Sequence, residues 1–337
     1  MSTTGAAIEL RGVTKTFGGT TAVANLDLTI PRGALYGFIG PNGAGKTTSI
    51  RMIMSILFPD SGELKVLGRD SALDAKDKIG YLPEERGVYR KMRVAAYLMY
   101  IARLKGVSEK GLSERVSAYV ARVGLAGVES KRCEELSKGM LQKIQFVAAI
   151  IHEPDLLILD EPFSGLDPIS MRQLREQIIA EHARGATILF STHVMQQAEE
   201  ICDHVVMIHR GRKMLDDPVS SIRSRYDPRA LVLEPLDAGA DVAGVRALAG
   251  VESCERHEGA YNVELEPGVD VAGAISRIAA ALPVARIEVK RPRLEDVFVQ
   301  IVTDRGDSAD TARALGAVRV NARCRGRLLR ANPVSVP

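Results

Sequence analysis

Eight consecutive residues have the types and spacing to hold a polyphosphate. Gly40-Pro41-Asn42-Gly43-Ala44-Gly45-Lys46-Thr47 satisfies G-x-x-x-x-G-K-[ST] in full. A β-like run, Leu35 to Ile39, precedes it, and a helical pattern from Lys46 to about Leu57 follows. Small residues let successive backbone N–H groups point inward around an anion. The helix N-terminus beyond adds partial positive charge. In that setting Lys46 reaches the β- and γ-phosphates and the Thr47 hydroxyl sits on Mg2+, with Thr48 beside it in the first turn. The chemistry indicated is binding of a nucleoside triphosphate.

A second group supplies the means to cleave it. Leu156-Leu157-Ile158-Leu159-Asp160-Glu161 sets two acids behind four apolar residues. A buried strand with this ending delivers both acids to the edge where α/β sheets bind ligands. Asp160 is expected to hold Mg2+, directly or through water. Glu161 is expected to accept a proton from an attacking water.

The elements that must position these groups follow an α/β rhythm over about 210 residues. Strands are expected at Ile8 to Leu10, Leu26 to Ile30 and Leu35 to Ile39, with a turn at Pro59-Asp60-Ser61-Gly62. Between about Val94 and Ile151 the period is helical. Val94, Leu98 and Ile101 share one face, and so do Val116, Tyr119, Val120 and Val123. Strands then return at Leu156 to Leu159, Ala186 to Phe190 and His204 to Ile208, with a helix from about Ile169. Asp216-Asp217-Pro218 reads as a boundary. Beyond it the order is strand (Ala230 to Glu234), helix (Asp241 to Leu248), strand (Val251 to Arg256), strand (Tyr261 to Leu265), helix (Val269 to Ala281), strand (Arg286 to Val289). That is the split βαββαβ, ferredoxin-like order. A short amphipathic helix, Leu294 to Val302, follows it.

Length and composition narrow the class. The 337 residues exceed one average domain. Apolar residues at 46% and charged residues at 26% suit a core-forming globular chain. No apolar run approaches the roughly 20 residues of a membrane span, and the first ten residues show no signal-peptide pattern. The four cysteines (Cys133, Cys202, Cys254, Cys324) are scattered, as reduced thiols are, with neither zinc nor disulfide spacing. The net charge of +3 is a local effect: residues 303–337 hold seven Arg and three acids, +4, which leaves −1 for the rest. A nucleic-acid footprint over the whole body is therefore not expected.

The ordered motifs resemble those of the ATP-binding cassette (ABC) ATPases over about Ile8 to Leu215. Leu136-Ser137-Lys138-Gly139-Met140 stands in the place of the family's LSGGQ signature, Ser137 falling 23 residues before Asp160. Ser164-Gly165-Leu166-Asp167 is similar to the D-loop and Ser191-Thr192-His193 to the switch-histidine segment. Phe17, in Lys15-Thr16-Phe17-Gly18, matches the aromatic that stacks on adenine. The resemblance implies an α/β fold: a P-loop NTPase ABC cassette with a central sheet, flanking helices and a helical subdomain. The cassette would span 1–215, its helical subdomain about 86–152. A small C-terminal α+β domain (216–303) and an Arg-rich tail without fixed structure (304–337) would follow.

Function is implied in the same way. Two cassettes pack head to tail around two ATP, so Ser137 and the N–H of Gly139 would bind the γ-phosphate held by the other copy. His193 would contact the γ-phosphate and help orient the attacking water; the other histidines show no ligand-like constellation. Hydrolysis would drive a separate multi-spanning permease, one of whose helices enters a groove near Glu84 to Tyr89. The chain would sit at the cytoplasmic face of the cell membrane through that permease. The rival is a soluble ABC ATPase acting on nucleic acid or ribosomes, supported only by the Arg-rich tail. Leu82-Pro83-Glu84-Glu85-Arg86-Gly87, the signature and Leu294-Glu295-Asp296-Val297-Phe298 resemble the bacterial drug-resistance and sodium-export branch.

Two residues depart from the family pattern. Glu84 stands where a glutamine is usual; it can accept a hydrogen bond and hold a metal-bound water, but cannot donate an amide N–H. Lys138 and Met140 replace Gly and Gln in the signature, while Ser137 and Gly139 are kept.

Overall fold

The computed structural model describes residues 5–304 apart from 86, 226–229, 238, 258, 267, 291 and 292. It starts with a long antiparallel pair, β1 (Ala6–Phe17) and β2 (Thr20–Pro31), then β3 (Leu35–Ile39) and helix α1 (Lys46–Ile53). β4 (Ser61–Val66) and β5 (Ile79–Leu82) lead into three helices, α2 (Val94–Leu104), α3 (Leu112–Arg122) and α4 (Lys138–Ile150). Next come β6 (Leu156–Asp160), α5 (Pro168–Ala183), β7 (Thr187–Thr192) and α6 (Met195–Ile201). These are followed by β8 (His204–His209), β9 (Arg212–Pro218) and α7 (Val219–Arg225). The last part contains β10 (Ala230–Pro235), α8 (Ala243–Arg246), β11 (Val251–His257) and β12 (Ala260–Leu265). α9 (Val271–Ala281), β13 (Val284–Lys290) and α10 (Leu294–Asp304) complete it.

The central sheet runs β5-β6-β7-β3-β8-β9, parallel except for β9. Every residue of β3, β6 and β7 is buried, because helices cover one face and the β2-β1-β4 sheet covers much of the other. This is why these strands read as unbroken apolar runs. Alternate side chains sort into two cores. Leu157, Leu159, Ile188 and Phe190 join the helices, whereas Leu156, Ile158 and Leu189 face β1, β2 and α1.

Several elements differ from expectation. α1 stops at Ile53 rather than Leu57, because Ser55 takes a left-handed conformation (φ 54°) and the N–H groups of Ile56 and Leu57 both turn back to the Arg51 carbonyl. Asp216-Asp217-Pro218, read as a boundary, ends β9, which pairs with β8 at the edge of the central sheet. Asp216 is fixed there by His204 (2.8 Å) and Lys213 (2.7 Å), and His204 in turn stacks on Tyr36. Strands β5 and β9 and helices α6 and α7 had no counterpart in the sequence reading. The Arg-rich tail falls outside the described residues, as does Arg86. Among the described residues, Cys133, Cys202 and Cys254 are buried free thiols.

A second, four-stranded antiparallel sheet has the order β11-β12-β10-β13, with α8 and α9 in its connections. Its core holds Leu231, Leu233, Val263, Leu265 and Ile278. The closing helix α10 does not join that core. Leu294, Val297, Phe298 and Val302 are buried in the core of the first unit beside α6, and the Leu294 N–H donates to the Glu199 carboxylate. Phe298 is fully buried and meets the His209 ring edge-on, centroids 5.6 Å apart. Phe298→Ala therefore removes a core side chain of the first unit, at a cost of about 3–5 kcal/mol. Urea unfolding followed by circular dichroism should show the main transition at clearly lower denaturant; an unchanged midpoint would contradict this packing.

Candidate active site

The parallel register brings four strand ends to one edge of the sheet. β3 runs into the glycine-rich loop at residues 40–47, β6 ends at Asp160, β7 is followed by His193, and β5 by Glu84. β5, β6, β7 and β3 are consecutive neighbours, so these groups lie side by side at the edge where α/β sheets place ligands.

The loop is locked by backbone proximity that only glycine allows. A Cβ on Gly40 would sit 2.1 Å from the Ile208 carbonyl oxygen. Gly45 has φ +105°, and a Cβ there would lie 2.4 Å from the Ala22 carbonyl oxygen. Gly45 caps α1, and residues 42–48, with Ala22, Glu84 and Glu161, line a cleft of about 260 Å³. Lys46 is 6% exposed and folds back onto the loop, its Nζ donating to the carbonyls of Gly40 (2.7 Å) and Pro41 (3.2 Å). Burial lowers its pKa, and the nearby charges of Glu161, Asp160 and Glu84 oppose that shift.

Glu161 is the most tightly held acid in the cleft. Its Oε1 accepts from the His193 backbone N–H (2.8 Å) and from His193 Nδ1 (2.7 Å), and its Oε2 from the Thr192 hydroxyl (3.2 Å). An ionised carboxylate only accepts, so the shared proton belongs to Nδ1. The Glu161 backbone is left-handed (φ 49°), an unusual state for a residue with a side chain, and its N–H is fixed to the Ser191 carbonyl at 2.9 Å. The Gln142 amide on α4 donates to the Pro162 carbonyl at 3.1 Å, which ties the residue after Glu161 to α4.

Asp160 contrasts with it. It is 1% exposed, and neither carboxylate oxygen receives a hydrogen bond of good geometry. Burial raises its pKa; the Ser191 and Thr47 hydroxyls nearby offset part of the rise, and the charges of Glu84 and Glu161 add to it. A buried carboxylate without partners is costly, and a hard cation is the partner it suits. Among the described residues no three His, Cys, Asp or Glu side chains gather around one point. Mg2+ commonly binds one or two carboxylates and completes its shell with phosphate oxygens and water, and Thr47, Asp160 and Glu84 fit that pattern.

Not every expected residue joins the cleft. Phe17 lies at the end of β1, 46% exposed, with Lys15 Nζ 5.6 Å from its ring centroid. Lys15 is anchored by Asp60 at 2.7 Å. Ser137 caps α4, its hydroxyl accepting from the Met140 N–H at 3.2 Å, and Gly139 follows; neither lines the cleft. Of the remaining histidines, His152 faces the Ile79 carbonyl (3.2 Å) and burial pushes its pKa down to about 4, which suits a neutral core residue. Thr192, Gln142 and Ala22 were missed. Thr192 stood inside a quoted motif, but its contact with Glu161 depends on β6 and β7 being neighbours.

The chain is similar to known proteins over most of its length. Residues 23–164 match the family model described as ABC transporter. Residues 218–302 match that of the ATP-binding protein DrrA1-3-like C-terminal domain. The uncharacterized ABC transporter ATP-binding protein YhaQ of Bacillus subtilis is 38% identical over 86% of this chain and 96% of that protein. The chain belongs to the ABC transporter ATP-binding protein family. It is also similar to the daunorubicin/doxorubicin resistance ATP-binding protein DrrA of Streptomyces peucetius, at 30% identity over 91% of this chain and 96% of that one. The bacitracin transport ATP-binding protein BcrA of Bacillus licheniformis is 29% identical over 88% of this chain and 97% of that one. A solved ATP-binding subunit of an ABC transporter matches with TM-score 0.61 and 31% identity, covering 65% of this chain and 93% of that one.

This family hydrolyses ATP to power transport, and its ATP-binding subunits work with separate membrane components. Among the described residues no helix of the cassette is long and apolar enough to cross a membrane. Nothing in these likenesses points to action on nucleic acid.

Asp160→Asn removes a buried, unpartnered charge. Without nucleotide the variant should be more stable than the unsubstituted cassette by on the order of 1 kcal/mol, while its ATP affinity in Mg2+ falls. Thermal unfolding with and without MgATP checks both; a destabilised apo-protein would show that Asp160 has partners after all.

Proposed function

We propose that the cleft binds ATP with Mg2+ and hydrolyses it, and that the cycle drives a separate multi-spanning permease in export. The observation that carries this reading is the Glu161 carboxylate, held by His193 and Thr192 at the mouth of the phosphate loop. Residues 40–48 surround the phosphates, and Phe17 stacks on adenine from the end of β1. Lys46 exchanges the Gly40 and Pro41 carbonyls for the β- and γ-phosphates, whose charge makes them stronger acceptors. Thr47, Asp160 and Glu84 hold Mg2+, which when bound screens the phosphate charge.

Glu161 takes the proton of the attacking water as its oxygen bonds to phosphorus. The bond from the γ-phosphorus to its bridging oxygen breaks, and ADP departs. His193 orients Glu161 through Nδ1 and offers Nε2–H to the γ-phosphate when protonated. Ser137 and Gly139 lie outside their own cleft, which suits use by a second copy, or a second cassette, packed head to tail. There the α4 N-terminus faces the other copy's γ-phosphate.

The permease helix docks beside the segment after β5. Exposed Tyr89 and Tyr100 meet edge to face at 5.6 Å there, and Glu85 pairs with Arg51 of α1 at 3.7 Å. We assign the ATPase unit to 1–215 with its helical subdomain at about 86–152, an accessory domain to 216–303 whose last helix, α10, packs back on the core of the ATPase unit, and an Arg-rich appendage to 304–337. The chain then works on the cytoplasmic face of the cell membrane. Export is supported by the relatives named for drug resistance and bacitracin transport.

Glu161→Gln keeps the size of the side chain but cannot take a proton. Turnover should fall by about a hundredfold or more, with ATP retained in a dimer on gel filtration; unchanged turnover would mean that another group is the base. Lys46→Ala should lose ATP binding in the same assays. Tagged chain purified from gently solubilised membranes should carry a polytopic membrane protein in stoichiometric amount, and recovery without one would count against the exporter reading.

A further inference from the structure

We infer that Glu84 makes nucleotide binding by this cassette depend on a divalent cation far more than a neutral residue at that position would. The inference rests on the ATP site proposed above. Glu84 follows β5, the neighbour of β6, and lines the cleft together with Glu161. Its charge reaches both Lys46 and Asp160. Three carboxylates, Glu84, Asp160 and Glu161, therefore act on a cleft whose lining supplies one cation, Lys46. Two of the three have a counterweight: Glu161 is bonded to His193 and Thr192, and Glu84 is exposed to water. Asp160 is 1% exposed, and only the nearby Ser191 and Thr47 hydroxyls, short of hydrogen bonds of good geometry, offset its charge.

A triphosphate arriving alone brings further negative charge into this field. Coulomb repulsion scales with the charge of the arriving ligand, so an added carboxylate opposes free ATP more than the magnesium complex. The acids do not form a metal cage by themselves, so cation and phosphate complete each other's binding. By linkage, each raises the affinity for the other by the same factor. Glu84 is the acid that sets the size of that factor, because it lines the cleft exposed to water, with neither the hydrogen bonds that hold Glu161 nor the burial of Asp160. Its exposure screens the effect and keeps it moderate, about tenfold.

Equilibrium dialysis of a radiolabelled, non-hydrolysable ATP analogue tests this with the full chain, Glu84→Gln and Glu84→Asp, each in excess Mg2+ and in EDTA. The quantity read is the ratio of Kd in EDTA to Kd in Mg2+. For Glu84→Gln the ratio should be about tenfold smaller, mainly through tighter binding in EDTA. Glu84→Asp, which keeps the charge, should retain the ratio of the unsubstituted chain. Equal ratios in the unsubstituted chain and Glu84→Gln would overturn the inference, as would a Glu84→Asp ratio matching that of Glu84→Gln. Failure of the unsubstituted chain to bind in either solution would instead overturn the ATP-site assignment.

Discussion

The site depends on one constraint, the parallel pairing of β5, β6, β7 and β3 with both faces of the sheet covered. Parallel strands that are neighbours end at the same edge, and each here ends in a residue with a different chemical capacity. A loop of inward N–H groups follows β3, and acids end or follow β6 and β5. The histidine after β7 can reach the acid after β6 because Asp160 and Ser191 are register partners. Slide β6 by one residue and its side chains exchange faces. The apolar set is double-sided and could tolerate that, but Glu161 could not keep His193.

The same edge shows how a site can be rigid in one part and deficient in another. Glu161 is fixed on both oxygens and held in a left-handed backbone. Asp160, one residue earlier, ends the strand with no hydrogen bond of good geometry to either oxygen. Lys46 is turned away onto its own loop. The cleft thus satisfies the Glu161 carboxylate and leaves that of Asp160 poorly satisfied. On the function proposed above, binding energy is then available where charge arrives, and Glu161 needs no reorganisation.

The C-terminal part is attached through core packing as well as through the chain. α10 is separated from the cassette by the whole second sheet in sequence, yet its apolar face lies with α6, the helix that follows His193. Glu199 of α6 holds its first N–H. The helix that follows His193 and the last helix therefore share one set of buried contacts.

Local sequence determined the phosphate loop, the apolar strand with its terminal acids, and the strand–helix–strand–strand–helix–strand order near the C-terminus. Each depends on spacing within a few residues: glycines for a turn, an unbroken apolar run for a strand covered on both faces, alternation for one covered on a single face. β5 and β9 were illegible because four to seven residues with charged neighbours carry no period, and they become strands only by pairing with β6 and β8. Only the tertiary structure decided that Thr192 and His193 hold Glu161 and that Asp160 is left alone. It likewise decided that Ser137 and Gly139 lie outside their own cleft, and that α10 belongs to the cassette core. These are relations between residues dozens of positions apart, fixed by which strands become neighbours and which apolar face finds a partner.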